Sequence, residues 1–247
     1  MMITNLIVLF IAPLASGLLI YLLPEGGKKN FRLLLVFAGS YLFSITVVHI
    51  LPQLYNQSSS VGFVGLFVLA GFFLQQFLEY FTSGIEHGHI HAHGHHHHEH
   101  HEVSALILLT AMCIHAFLEG GILVEPAGGS ESNYAILFGI VLHRMPAAFA
   151  LMAVLTAQLH SRTRAIPHLV GFSLAAPAGL LIGSYLADLD ILSGSGLQFV
   201  YALVSGNFLY ISTTIVFESS PEHRFHPRRF AVAVAGALVA VVVEYVV

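Results

Sequence analysis

Eight stretches of this chain are so long and so apolar that only helices packed in lipid or deep in protein accommodate them. They cover residues 5–23, 31–52, 61–83, 103–124, 133–157, 166–187, 197–217 and 230–247. A helix crossing a bilayer needs about 20 mostly apolar residues, because each adds only about 1.5 Å across a core about 30 Å thick. The last run is the shortest fit and is almost wholly Ala and Val. Between the runs lie Pro24-Glu25-Gly26-Gly27, Ser58-Ser59-Ser60, Gly128-Gly129-Ser130, Ser193-Gly194-Ser195-Gly196 and Ser219-Ser220-Pro221, all loop signals. Composition decides between lipid and a soluble core. Of the 247 residues, 56% are hydrophobic and 9% charged, whereas a soluble domain carries roughly a quarter charged residues. The expected fold is an all-α membrane protein of eight transmembrane helices, forming one domain over residues 1–247 with a polar loop at 84–102.

The few charges orient the bundle. Lys28, Lys29 and Arg32 fall at the first loop, Arg162 and Arg164 at the fifth, and Arg224, Arg228 and Arg229 at the seventh. With eight spans all odd loops share one side, and the positive-inside rule makes that side cytoplasmic. The even loops hold Glu125, Glu131, Asp188 and Asp190 and no Lys or Arg. Both termini are then outside. The opening Met1-Met2-Ile3-Thr4-Asn5 has no basic region and no small-residue cleavage site, so the first run is expected to be a retained span. A short echo, Ala12-Pro13-Leu14 in span one and Ala176-Pro177-Ala178 in the oppositely directed span six, suggests an inverted repeat of spans 1–3 and 6–8 around spans 4–5; small apolar residues around one proline also match by chance.

Ionisable residues inside spans are costly and default to function. Span four contains His115 and Glu119, four residues apart and so on one helix face. Imidazole and carboxylate together suit zinc and other first-row divalent ions. Span five contains His143, Arg144 and Pro146. Pro146 removes one helical hydrogen bond and crowds the carbonyl of Leu142, freeing backbone oxygen near His143. A broken helix is tolerated in a membrane where it is buried in protein or lines a polar cavity. His115 precedes Val124 by nine residues and His143 follows Asn133 by ten. Both histidines therefore lie roughly 14–15 Å below the outer surface, near mid-membrane. The rival reading is two separately satisfied histidines beside a Glu119–Arg144 salt bridge. His49, at the end of span two, either completes the site, if its helix continues past Pro52 towards Tyr55, or stands at the entrance. Gln75, Gln76 and Glu79 in span three, Ser173 in span six, Asn207 in span seven and Glu218 at its inner end are candidates for a polar route, though each alone also fits a helix–helix hydrogen bond. The single cysteine, Cys113, excludes an intrachain disulfide and a cysteine metal cage.

The third loop carries His87, His89, His91, His93, His95, His96, His97, His98, His100 and His101, ten of the 17 histidines. Imidazoles at this density bind zinc, copper or nickel ions without fixed geometry. On the cytoplasmic side the loop would hold, buffer or sense metal at the exit.

These residues resemble the ZIP (Zrt/Irt-like) family. Its fourth span carries His-Asn-x-x-Asp/Glu-Gly and its fifth His-x-x-Pro-Glu. His115-Ala116-Phe117-Leu118-Glu119-Gly120 and His143-Arg144-Met145-Pro146-Ala147 are similar to these, as are His49 with Leu51-Pro52 and, more loosely, Gly206-Asn207-Phe208. The resemblance spans the chain in layout and about twenty residues in specific motif. It implies eight spans with both termini outside, and transport of zinc, or of iron, manganese or cadmium, into the cytoplasm. It makes His49, His115, Glu119 and His143 the primary ligands. Ala116 and Ala147 stand where the family often has Asn and Glu, and Arg144 where it often has an acid or a lysine. These departures predict one ion rather than two, with the Arg144 cation in place of the second. The other readings are a metal sensor that does not transport, and an intramembrane metallohydrolase. The expected partners are the metal ion and the bilayer, with homodimerisation open and no nucleic acid. The chain's economy suggests a bacterial inner membrane.

Overall fold

Helices occupy every one of the expected apolar runs in the computed structural model, which describes residues 1–22, 28–58, 60–82, 104–124, 133–192, 194–218 and 226–246. No strand occurs among the described residues. In chain order the helices are α1 (Met2–Leu18, with a 3-10 turn Leu19–Tyr21), α2 (28–57), α3 (Val61–Thr82), α4 (Ala105–Gly121), α5 (Asn133–Leu159), α6 (Arg162–Asp188), α7 (Ser195–Glu218) and α8 (Pro227–Val246). Six are long and apolar enough to cross a membrane: α1, α2, α3, α5, α6 and α7. Helix α4 is apolar but has 17 residues, and α8 is apolar apart from Arg228, Arg229 and Glu244. The histidine loop lies outside the described residues.

Local chemistry sets several boundaries. Ser104 caps α4 by accepting the Leu106 amide, and Ser161 caps α6 by accepting the Arg164 amide, each satisfying an N–H that has no partner within its helix. Helix α2 is one rod in three stretches: α-helix Lys28–Ile45, π-helix Thr46–Ile50 and α-helix Leu51–Gln57. Pro52 occupies the first turn of the last stretch, where its missing N–H costs least. The wider π turn takes up the break in the hydrogen-bond ladder just before it. The helix does continue past Pro52, as one sequence alternative required. Pro146 behaves differently from expectation, because α5 runs unbroken from Asn133 to Leu159 around it.

The dominant packing pairs are α3 with α7, α4 with α6, α2 with α8 and α1 with α5, joined by α1 with α6 and α2 with α7. Helix α5 is the centre: 78% of its apolar window is buried, against 22% for α3. Two crossings depend on glycine. A methyl group at Gly120 would overlap the Ala176 carbonyl, and one at Gly179 the Phe117 carbonyl, so α4 and α6 touch backbone to backbone. Gly71 and Gly206 do the same for α3 and α7 against Leu203 and Val68. In lipid, where apolar side chains gain little by leaving their solvent, such close contact is a main source of helix association.

Contacts at the helix ends fix which loops share a side. The Arg162 guanidinium lies 4.9 Å over the Tyr21 ring, which sets the end of α1 beside the start of α6. At the opposite side Gln198 donates to the Gln57 carbonyl at 3.1 Å, and the Tyr201 hydroxyl donates to the Val124 carbonyl, so α2, α4 and α7 meet there.

Candidate metal centre

Helix α4, which Gly120 holds against α6, also carries His115 and Glu119. Their i, i+4 spacing sets His115 Nε2 3.1 Å from Glu119 Oε1. Helix α5 supplies His143, whose Nε2 is 4.0 Å from the same oxygen. The two imidazole rings are 5.8 Å apart between centroids and nearly perpendicular, at 86°. One ligand atom from each of His115, Glu119 and His143 lies within 4.8 Å of the others, and all three residues are buried. The matching depths read from the sequence thus end in direct juxtaposition.

The second carboxylate oxygen faces another group. Glu119 Oε2 is 3.7 Å from Arg144 Nε. Arg144 Nη2 donates to the Phe172 carbonyl at 2.9 Å, and the guanidinium carbon lies 4.8 Å over the Phe172 ring. The cation thus faces the carboxylate on one side and a backbone carbonyl on the other. Neither oxygen of Glu119 has a hydrogen-bond partner among the described residues, nor do Nε and Nη1 of Arg144. Next to Pro146, Ser16 of α1 donates to the Met145 carbonyl at 2.6 Å, tying α5 to α1 at this level.

His49 is not part of this group. Its Nδ1 lies 2.6 Å from Glu244 Oε1 on α8, with the two side chains 13% and 20% exposed. His49 belongs to the π stretch, in which residues are displaced from their α-helical face, so continuation of the helix past Pro52 does not bring it to α4 and α5. The sequence reading did not single out Glu244, although it is the one acid in the last apolar run, and that was the available signal.

Among the route candidates the structure separates two neighbours. Gln76 is exposed on the outer face of α3, while Gln75 is buried. The expectation for Gln76 is corrected on this ground, since only Gln75 of the two faces the packed interior. Glu79 is partly buried. Ser173 and Asn207 are fully buried, and neither the Ser173 hydroxyl nor the Asn207 amide has a hydrogen-bond partner among the described residues. Glu218 ends α7. Sequence reasoning also missed Phe172, whose carbonyl and ring anchor Arg144, because nothing in an apolar run marks one phenylalanine for that task.

Three His/Glu ligands and a buried arginine inside apolar helices form a candidate site for a divalent cation. A family model described as "ZIP Zinc transporter" matches residues 1–244. The chain is similar to "Zinc transporter ZIP9-A" of Xenopus laevis, at 25% identity over 171 residues, 66% of this chain and 54% of that protein. It is similar to "Zinc transporter ZIP9" of Macaca fascicularis, at 31% identity over 114 residues, 42% of this chain and 47% of that protein. A third relative, "Zinc transporter ZIP9" of Micropogonias undulatus, is 31% identical over 122 residues, 46% of this chain and 38% of that protein. The chain thus spans about half or less of the length of the curated relatives it matches. These relatives come from animals and lend no weight to a bacterial membrane. With its apolar helices and a family match along nearly its whole length, this integral membrane protein belongs to the ZIP zinc transporter family.

Proposed function

We propose that the chain carries zinc, or a related divalent ion, across its membrane through one ion site formed by His115, Glu119 and His143. The observation that carries this reading is the burial of three ligand atoms within 4.8 Å of one another at the centre of an apolar bundle. Family membership supports zinc as the substrate. With both imidazoles neutral, Glu119 and Arg144 cancel, so an ion raises the charge of the centre by about two units in low dielectric. That suits a cargo that must leave again.

All eight helices act as spans in this reading, α4 and α8 included. The packing supports an inverted repeat. Exchanging α1 with α6, α2 with α7, α3 with α8 and α4 with α5 turns the α1–α5 pair into α6–α4 and the α3–α7 pair into α8–α2, each a dominant pair. The meeting of Tyr21 with Arg162 supports a shared side for the first and fifth loops, which carry basic residues. That side is cytoplasmic, both termini are outside, and the ion moves inward as one half of the bundle rocks against the other. Release runs towards Glu79, Glu218 and the loop histidines.

Two measurements test this. Zinc titrated into full-length protein with its ten loop histidines changed to serine should bind tightly at one ion per chain, and His115→Ala should remove it. Proteoliposomes holding the wild-type chain should accumulate zinc, and His115→Ala and Glu119→Ala should each abolish uptake. Binding without uptake would instead favour a sensor, which Arg144 resting against Glu119 keeps open as the second reading.

A further inference from the structure

The two oxygens of Glu119 face different partners. Oε1 looks to the histidines, 3.1 Å from His115 Nε2 and 4.0 Å from His143 Nε2. Oε2 looks to Arg144 Nε at 3.7 Å. Arg144 is held in place from the other side. Its Nη2 donates to the Phe172 carbonyl at 2.9 Å, and its guanidinium stacks over the Phe172 ring. Both anchors come from α6, while the arginine itself projects from α5. Arg144 is 1% exposed, so swinging away would give up both anchors and strand a cation among apolar helices.

A carboxylate free to turn can bind an ion with one oxygen or with two. Here one oxygen lies beside a fixed cation that repels any divalent ion. We propose that Arg144 is a positioning residue that sets metal specificity, by keeping Glu119 Oε2 out of the ion's coordination shell. This rests on the reading of His115, Glu119 and His143 as the metal centre. Glu119 then binds through Oε1 alone. The ion receives two imidazole nitrogens and one carboxylate oxygen, with a fourth position open to water. Zinc accepts four ligands, nitrogen and oxygen among them, in tetrahedral array. Manganese and calcium prefer six or more ligands, mostly oxygen, which this arrangement withholds. The guanidinium charge lowers affinity for every divalent ion alike. The oxygen it withholds penalises those that need more ligands, so the ratio of zinc to manganese affinity separates geometry from charge.

The test uses the full-length chain with its ten loop histidines changed to serine. X-ray absorption of the zinc-loaded wild-type centre should give four light-atom neighbours, with the carboxylate bound through one oxygen. A five- or six-coordinate ion, or a two-oxygen carboxylate, would overturn the proposal without any Arg144 variant having to fold. With cobalt(II) in place of zinc, the intense visible bands of a tetrahedral ion should appear in the wild type. They should weaken in Arg144→Gln and persist in Arg144→Lys, which keeps a cation beside Oε2. Arg144→Gln should also shift the zinc-to-manganese affinity ratio towards manganese by about tenfold, in the range for residues that orient metal ligands. Unchanged bands and an unchanged ratio in Arg144→Gln, even with tighter binding of both ions, would overturn the role of Arg144 while leaving the metal centre standing. Zinc binding that survives His115→Ala undiminished would overturn the centre and, with it, this inference.

Discussion

Two His–Glu pairs lie inside this bundle, and they are built in opposite ways. His115 and Glu119 share one helix, are sealed from solvent, and are joined by His143 and Arg144 from a second helix. His49 and Glu244 come from two helices, stand 195 residues apart in sequence, are partly exposed, and meet at 2.6 Å. The first pair shares its carboxylate among three groups, at 3.1, 4.0 and 3.7 Å; the second is a short contact between two helices. A short pair of this kind joins α2 to α8. An open, buried one with converging ligand atoms retains capacity for an ion.

The sharpest way to break the contrast is to remove the platform of the first pair. Gly120→Val would drive a side chain into the Ala176 carbonyl and force α4 off α6. We expect a loss of about 5 kcal/mol or more, seen as absence of a monodisperse species in detergent. Gly171→Ala, where an added methyl meets nothing within 4 Å, is the matched control and should behave as wild type.

Charge comes next. Arg144→Gln leaves Glu119 as a buried carboxylate with no cation beside it, which should cost about 3–5 kcal/mol in denaturant unfolding of the metal-free protein. Zinc should recover much of that loss, since the ion supplies the missing positive charge. Glu244→Gln should cost only about 1 kcal/mol or less, because its pair is partly exposed, and zinc should not alter that value. Equal costs for the two substitutions would erase the distinction between the pairs.

A smaller effect is expected with pH. Protons compete with metal for the imidazoles of His115 and His143, so zinc affinity should fall as the medium is acidified. A zinc titration repeated at lower pH measures this. The same dependence should appear in His49→Ala, and a profile that flattens in that variant would mean that His49 takes part in binding.

The contrast also marks what the sequence reveals. His115 and Glu119 were legible because the i, i+4 rule needs only one helix. His143 was legible because counting inward from two loops on one side set both histidines at one depth. Glu244 was not, since no local rule links it to a residue 195 positions away. His49, a ligand by the family pattern, lies beside Glu244 in a π stretch that the pattern does not mark. The exposed Gln76 and the buried Gln75 were not told apart for a related reason. In α3 the lipid face and the protein face are both apolar, so periodicity does not say which is inside. The number and approximate limits of the helices followed from apolar length and loop residues, which lipid makes decisive. Which helices touch depended on glycines whose meaning appears only when a carbonyl of another helix lies against them.

The most direct test sets the two histidines against each other. Zinc uptake should be measured in parallel in proteoliposomes holding wild-type, His115→Ala and His49→Ala protein at equal density. Uptake should vanish in His115→Ala and stay within about twofold of wild type in His49→Ala, as for a site outside the shared network. Full uptake in His115→Ala, or loss in His49→Ala alone, would contradict the assignment of the buried centre as the route for the ion.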